Sequence, residues 1–224
     1  MKRFALLAFA LLLLGGHASA AFGLPSSGFV TTASSPFTGP SITYEPGEFA
    51  YRITVAIKNS TDGRVATFRE LGGGRIMSGA PGCSGSGTSV VNCFSNTPWS
   101  LLMVVGGQGN DYIDIRGWNP VAPLGPYSTQ VHPGFGNDVM QGSPGNDDFE
   151  GDFGADVAYG NAGDDSLAGQ NGADTLYGGD GDDSLSSGTG PLDALWVDHL
   201  YCGNGFDTAH APPPDVAVGC EVRR

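Results

Sequence analysis

The stretch that decides the fold runs from Pro133 to Ser186 and divides into six rows of nine residues: PGFGNDVMQ, GSPGNDDFE, GDFGADVAY, GNAGDDSLA, GQNGADTLY and GGDGDDSLS. Position four of every row is glycine, position six is aspartate and position eight is apolar. Position one is glycine in five of the six rows. A disordered segment of the same composition would not keep this register, so the repeat predicts a folded solenoid.

Each column of the repeat has a physical role. Glycine adopts the positive φ that a tight turn needs, and aspartate offers carboxylate oxygens to a hard cation. An apolar residue in a short extended stretch points away from its two neighbours, so one apolar group per row faces inward. Each row therefore predicts half a coil, a bend followed by a short strand. Two rows make one coil of a flattened β-solenoid, in which equivalent residues of successive coils stack roughly 4.8 Å apart.

This stacking places the position-six aspartates on two edges of the solenoid. Like charges at that spacing repel by about 1 kcal/mol per pair in water, and a divalent cation between coils reverses the sign. Flexible, all-oxygen coordination suits Ca²⁺ better than Mg²⁺, and soft metals find few ligands here. Two gaps on each edge predict about four Ca²⁺ ions in total. The predicted edges are Asp138, Asp156 and Asp174, and Asp147, Asp165 and Asp183.

The rows resemble the RTX, or haemolysin-type, calcium-binding repeat, whose pattern is G-G-x-G-x-D-x-U-x with U apolar. The resemblance implies a parallel β-roll in which each Ca²⁺ lies between turns. It also implies that position-six aspartates and carbonyl oxygens of the glycine-rich turns hold the ion. Carried over to this chain, the aspartates are the six named above, and the fourth-position glycines include Gly136, Gly145, Gly154 and Gly163.

The pattern breaks on both sides of the six rows. A further match, GGQGNDYID, covers Gly106–Asp114 and makes Asp111 another candidate ligand. Thr129 stands where its stacked aspartate is expected, so residues 115–132 are either degenerate coils or a loop. After Ser186 the register fails, since Leu192 replaces the next aspartate. One more Gly-x-Gly-x-Asp, at Gly203–Asp207, lies between two cysteines.

The first twenty residues and the four cysteines indicate export. Residues 1–20 carry a basic start, the apolar run Phe4–Leu14 and small residues up to Ala20, which predicts a cleaved secretory signal peptide. The run is too short for the alternative, a membrane anchor. Four cysteines suit an extracellular protein. They allow three pairings, of which we favour the local one, Cys83–Cys93 with Cys202–Cys220.

The amino-terminal half reads as β structure. Residues 21–45 are rich in Ser, Thr, Pro and Gly and are expected to be a loose leader. Alternation in YRITVAIK, residues 51–58, predicts a half-buried strand that forms a hairpin with Val65–Leu71. Ser89–Phe94 and Ser100–Val105 are further expected strands.

The expected organisation is an all-β chain with a β cap over 21–105, a β-roll over 106–190 and a disulfide-containing cap over 191–224. The tail is similar to the ends of small secreted bacterial calcium-binding proteins.

Composition limits the function. The chain has 23 acidic and 10 basic residues, and no Lys or Arg lies between Arg116 and Arg223, which argues against nucleic-acid binding. No other segment could span a membrane. H-E-x-x-H and G-x-S-x-G are absent, so no enzyme is expected. We expect a secreted protein whose roll folds on Ca²⁺, as a surface or matrix component. The alternatives are an adhesion module for a protein or polysaccharide, marked by exposed Trp99, Trp118 or Trp196, and a hydrolase using His132, His199 or His210.

Overall fold

A computed structural model describes residues 27–35, 39–45, 52–60, 63–71, 75–78, 83–85, 90–95, 101–118, 129–188 and 195–223. The predicted signal peptide, Leu192 and Trp99 lie outside these residues. The described residues are nearly all in strands and turns, with no α-helix among them, which confirms the all-β class. None of them forms a helix with the length and apolar character needed to cross a membrane.

The strands of the amino-terminal half pair mostly with their sequence neighbours. In chain order they are β1 (Ser27–Ser35), β2 (Gly39–Glu45), β3 (Arg52–Ser60), β4 (Gly63–Glu70), β5 (Arg75–Ser78), β6 (Cys83–Ser84) and β7 (Val90–Ser95).

The strands of the repeat region belong to the same two sheets as the amino-terminal strands. They are β8 (Leu101–Gln108), β9 (Tyr112–Gly117), β10 (Thr129–Phe135), β11 (Val139–Gln141), β12 (Asp147–Glu150), β13 (Val157–Ala162), β14 (Ser166–Ala168), β15 (Thr175–Asp180), β16 (Ser184–Ser186), β17 (His199–Asn204), β18 (Thr208–His210), β19 (Val216–Val218) and β20 (Val222–Arg223).

The strands form two sheets that run the length of the molecule. One has the order β20-β18-β16-β14-β12-β10-β8-β2-β1-β5, and the other β19-β17-β15-β13-β11-β9-β3-β4-β7-β6. From β8 to β20 the chain alternates between the sheets, and each strand pairs in parallel with the strand two further on. This is the β-roll that the sequence predicts.

The coil length in the regular rows is the predicted one. Val157 pairs with Thr175, Phe149 with Leu167, and Ser166 with Ser184, each eighteen residues on. Tyrosines on the outer face report the spacing directly, because the stacked ring centroids of Tyr159, Tyr177 and Tyr201 are 4.7 and 4.9 Å apart. Two rows therefore make one coil.

In the regular rows, the core is a stack of apolar side chains between the two sheets. The position-eight residues are at most 1% exposed, as the alternation predicts, and they are Met140, Phe149, Ala158, Leu167, Leu176 and Leu185. The stack continues upstream through Val104, Val131 and Ile113 and downstream through Leu200 and Ala209. The roll thus extends beyond the six regular rows at both ends.

The coils outside those rows differ in length and not in stacking. β9 and β11 are offset by 27 residues, β15 and β17 by 24, and β17 and β19 by 17, as the hydrogen bonds between equivalent aspartates show. The nine-residue register is thus lost after Ser186, as the sequence predicts, but the strands continue to stack beyond it. Insertions lengthen the connections at 119–128 and 189–194, and the chain then rejoins the same ladder.

The amino-terminal strands continue both sheets. β3 and β4 form the predicted antiparallel hairpin, and β3 pairs in parallel with β9 of the roll. Residues 21–45 are not a loose leader where they are described. β1 and β2 pair antiparallel, and β2 joins β8. The Ser/Thr-rich composition suggested a loop, but threonine and isoleucine favour strands, and the pairing with β8 fixes them there.

Both favoured disulfides are present. Cys83 on β6 is bonded to Cys93 on β7, across an antiparallel pair. Cys202 on β17 is bonded to Cys220, which lies between β19 and β20. The second bond ties the last coils of the roll together.

Candidate metal centre

A ladder of buried aspartates runs along each edge of the roll. On the first edge, the backbone N–H of each aspartate donates to Oδ1 of the aspartate one coil later. The N···O distances are 2.6 Å for Asp111 to Asp138, 2.8 Å for Asp138 to Asp156, 2.8 Å for Asp156 to Asp174, 2.7 Å for Asp174 to Asp198 and 3.1 Å for Asp198 to Asp215. The predicted grouping of Asp138, Asp156 and Asp174 is thus observed within a longer series.

The second edge repeats the arrangement. The N–H of Asp147 donates to Asp165 at 2.8 Å, that of Asp165 to Asp183 at 2.9 Å, and that of Asp183 to Asp207 at 2.8 Å. The ladder ends where Asp207 donates to Oε2 of Glu221 at 2.7 Å. At its start, Thr129 takes the aspartate position and its hydroxyl donates to Asp147.

The ladder corrects the prediction for Asp111. We expected it to have no stacked carboxylate, since Thr129 stands eighteen residues on. The structure stacks it on Asp138, 27 residues on, because the longer connection moves Thr129 to the other edge. Four carboxylates at the far end were not among the predicted ligands: Asp198, Asp207, Asp215 and Glu221. The Gly-x-Gly-x-Asp at Gly203–Asp207 was the one sequence signal for them.

The second carboxylate oxygen has a different environment. Oδ2 of Asp138, Asp156, Asp165, Asp183 and Asp207 is buried and has no hydrogen-bond partner. A buried carboxylate oxygen without a donor is costly, unless a cation or a proton occupies its lone pair. Because Oδ1 is taken by an amide and Oδ2 is left over, each of these residues offers one oxygen to an ion.

Position-one glycines leave room beside these oxygens. A Cβ on Gly151 would lie 2.5 Å from Oδ2 of Asp156 and 2.6 Å from the carbonyl oxygen of Gly169. A Cβ on Gly160 or Gly178 would collide in the same way with Asp165 or Asp183. Glycine at position one therefore keeps a carboxylate oxygen and a carbonyl oxygen close together, which is the type of donor pair that Ca²⁺ takes.

Position-four glycines form the turns. Gly136, Gly154, Gly163, Gly172 and Gly181 all have positive φ, as the repeat predicts. Gly145 is the exception, since it does not adopt positive φ. Its carbonyl oxygen also accepts a hydrogen bond from the Ser143 hydroxyl at 3.1 Å. Of the four glycines named as carbonyl ligands, Gly145 therefore has a different environment.

The electrostatic environment along each edge favours neutralisation of the aspartate carboxylates, by protons or by a cation. Burial, with the carboxylates stacked on either side, raises the pKa of Asp156 to about 8 and that of Asp165 to about 9. Burial raises the pKa of Asp138 and of Asp183 to about 6. Without a cation, the ladder thus holds protons that exposed aspartates would release. A divalent ion in each gap would take the place of those protons.

No three His, Cys, Asp or Glu side chains converge as a metal cluster among the described residues. The oxygen donors that these edges offer are aspartates of successive coils and nearby main-chain carbonyls. The other acids lie further out. Asp164, Asp180 and Asp182 are exposed, and Asp148 is half-buried on the outer face of its strand. They contribute negative potential and are placed outside the gaps.

The residues that would have indicated another function are scattered. His132 lies 3.4 Å from Glu150, His199 is in the other sheet, and three strands separate the strands of His132 and His210. Trp118 is fully buried, whereas Trp196 is 49% exposed. The structure brings neither the three histidines nor these two tryptophans together.

Comparison with known proteins agrees with the geometry. Residues 134–158 and 159–191 match the family of the RTX calcium-binding nonapeptide repeat, in four copies. Neither the curated proteins nor the solved structures contained a match. The matched residues contain the turns and aspartates of the regular rows. Residues 134–191 of this chain are therefore RTX calcium-binding nonapeptide repeats, and the ion they bind is Ca²⁺.

Proposed function

We propose that the chain is a secreted protein whose roll becomes ordered when Ca²⁺ enters the gaps between stacked aspartates. The observation that carries the proposal is the row of buried, unpartnered Oδ2 atoms at Asp138, Asp156, Asp165, Asp183 and Asp207. Burying these charges is unfavourable without a cation and becomes favourable with one. Ion binding and folding are then one equilibrium, because the unfolded chain has no preformed site.

The proposed ligands are position-six aspartates and carbonyl oxygens of the turns. The ladder supports more sites than the four expected from the regular rows, because it continues from Asp174 to Asp198 and from Asp183 to Asp207. The gap between Asp111 and Asp138 adds one at the other end. Asp147 and Gly145 fit less well, because the N–H of Ser143 donates to Oδ2 of Asp147 and the Ser143 hydroxyl contacts the carbonyl oxygen of Gly145.

Secretion would allow the coupling of Ca²⁺ binding to folding to control where the protein folds. Residues 1–20 have the features of a signal peptide, and two disulfides suit an oxidising compartment. Free Ca²⁺ is low inside cells and higher outside. The chain would stay open before export and close afterwards, and its amino-terminal strands, which continue both sheets, would cap the roll.

The proposed role of the folded protein is structural, as a surface or matrix component. The scattered histidines favour this over a hydrolase. The face of β13, β15 and β17, with its stacked tyrosines, would be available to a partner if the protein is instead an adhesion module.

A calcium titration of the chain from Ala21 onward tests the proposal. Far-ultraviolet circular dichroism should show strand signal that grows with Ca²⁺ and is lost on chelation. Mg²⁺ at the same concentrations is the control and should do much less, since it demands strict octahedral geometry. Identical spectra and melting temperatures with and without Ca²⁺ would refute the coupling of binding to folding.

A further inference from the structure

The turn at residues 142–147 differs from every other turn of the regular rows. At position two, Asp152, Asn161, Gln170, Gly134 and Gly179 all have positive φ, and Ser143 does not. At position four, Gly145 is the one glycine of its column without positive φ. The row still has Gly at position four and Asp at position six, so the repeat pattern alone does not reveal the difference.

The sequence supplies the cause. Ser143 precedes Pro144, and a proline disfavours helical conformations of the residue before it and pushes that residue into the extended region. Proline also fixes its own φ near −65°. The left-handed conformation that the other rows use at position two is therefore closed to Ser143.

The altered backbone turns Ser143 onto Asp147. The Ser143 N–H donates to Oδ2 of Asp147 at 2.6 Å, and the Ser143 hydroxyl lies 2.8 Å from Oδ1. The Thr129 hydroxyl donates a hydrogen bond to Oδ1 at 2.6 Å. Ser143, Thr129 and Asp147 are each 0% exposed.

Asp147 and Asp165 differ in how their second oxygen is satisfied. Oδ2 of Asp165 is buried without a partner, whereas Oδ2 of Asp147 accepts an amide hydrogen. A hydrogen that points at the oxygen places positive charge where a cation would bind. The carbonyl oxygen of Gly145, a second expected ligand, lies 3.1 Å from the same hydroxyl. Both family ligands of this row are thus engaged by Ser143.

We infer that the turn at residues 142–147 does not bind calcium, and that Ser143 and Thr129 together take the place of the ion at Asp147. The coil that carries this turn, β10 to β12, joins the repeats to β8 and β2. The second edge of the roll would then begin with a turn that closes without calcium, on which the calcium-dependent turns of that edge can stack. This inference rests on calcium binding by the other rows.

The experiment counts bound Ca²⁺ by equilibrium dialysis in the chain from Ala21 onward. Asp147→Asn should bind as many ions as the unmodified chain, and the matched variant Asp165→Asn should bind fewer. Circular dichroism at saturating Ca²⁺ confirms that each variant is folded. If Asp147→Asn loses an ion, the inference is wrong.

A second variant tests the inference through an expected gain of Ca²⁺ binding. Ser143→Gly combined with Pro144→Ala restores a glycine at position two and removes the proline, so this variant should bind one ion more than the unmodified chain. An unchanged count would contradict the inference even if Asp147→Asn failed to fold. The two ideas fail differently: absence of Ca²⁺ binding by the unmodified chain would refute the proposed function, whereas binding with an ion at Asp147 would refute this inference alone.

Discussion

Asp156 uses its two carboxylate oxygens for two tasks. Oδ1 accepts a hydrogen bond from the N–H of Asp138, and Oδ2 is buried without a hydrogen-bond partner, where an ion can bind it. Asp156→Asn keeps an oxygen for the amide of Asp138 and removes the charge. In Ca²⁺ it should lower the melting temperature, because two adjacent gaps lose a charged ligand. Without Ca²⁺ it should have little effect or raise it, since the pKa of Asp156 is about 8 and its burial as an anion is unfavourable.

Thermal unfolding with and without Ca²⁺ measures this reversal. Asp148→Asn is the matched control, because Asp148 is half-buried on the outer face of β12, and it should change either melting temperature little. Equal losses for Asp156→Asn in both conditions would mean that Asp156 has a structural role without an ion.

Strain at position two is a separate residue-scale effect. Gln170 has a φ of 76°, a left-handed conformation that costs a non-glycine residue about 1–2 kcal/mol. Its N–H donates to the carbonyl of Ser187, a bond that glycine keeps. Gln170→Gly should therefore stabilise the folded protein by up to about 1 kcal/mol, after the entropy of glycine in the unfolded chain is subtracted. Denaturant unfolding in saturating Ca²⁺ measures it.

Asn161→Gly is the informative comparison for that substitution. Asn161 has a similar φ of 77°, but its side-chain amide donates to the carbonyl of Gly142 at 2.9 Å. Glycine there relieves strain and loses a hydrogen bond, so the net gain should be smaller than for Gln170→Gly. A loss of stability in both variants would show that strain at position two is not a significant cost.

At the scale of the coil, the sequence predicts the regular rows well because three columns constrain them at once. Position four sets the turn, position eight fills the core and position six stacks the charge. The insertions before Thr129 and after Gly188 could not be placed, because a longer connection changes the spacing in sequence while the ladder stays intact. The role of Ser143 was missed because it depends on the conformation that Pro144 imposes, which column matching ignores. For β1 and β2, the partner strand decides the structure.

The stability of the cation-free roll should depend on pH through the buried aspartates of its two edges. In the cation-free protein, burial and stacked carboxylates hold the pKa values of Asp156 and Asp165 near 8 and 9, whereas unfolded aspartates titrate near 4. The folded state then binds more protons than the unfolded state between these values, so cation-free stability falls as pH rises. Ca²⁺ competes with those protons, so its affinity should rise over the same range.

Melting temperatures in calcium-depleted buffer at pH 5 and pH 8 check this sign. The cation-free protein should be more stable at pH 5, and added Ca²⁺ should stabilise it more at pH 8. The reverse order of the cation-free melting temperatures would mean that the edge carboxylates are ionised in the folded state at both pH values.

The disulfide between Cys202 and Cys220 should support the last coils selectively. β18 and β20 pair through only two residue pairs, so the carboxyl end has little strand pairing of its own. Replacing both cysteines by serine should remove about 3 kcal/mol of chain-entropy stabilisation and expose the amides of 199–218 to hydrogen exchange. The ladder from Asp138 to Asp174 should stay protected in Ca²⁺. The same change at Cys83 and Cys93 is the control and should leave the far end unaffected.

For the whole molecule, charge explains why a specific ion is needed. Residues 117–222 contain no Lys or Arg, so no basic side chain of this segment can neutralise the stacked aspartates within it. Self-repulsion should therefore expand the cation-free chain, and two kinds of ion could oppose it. Screening by a monovalent salt weakens repulsion between exposed charges but reaches buried pairs much less. Ca²⁺ bound in the gaps acts on the buried pairs themselves.

Small-angle X-ray scattering should therefore show a compact particle at millimolar Ca²⁺ and an expanded one in NaCl of equal ionic strength. Equal compaction by both salts would show that screening alone closes the roll, and that the ladders of aspartates need no bound ion to fold.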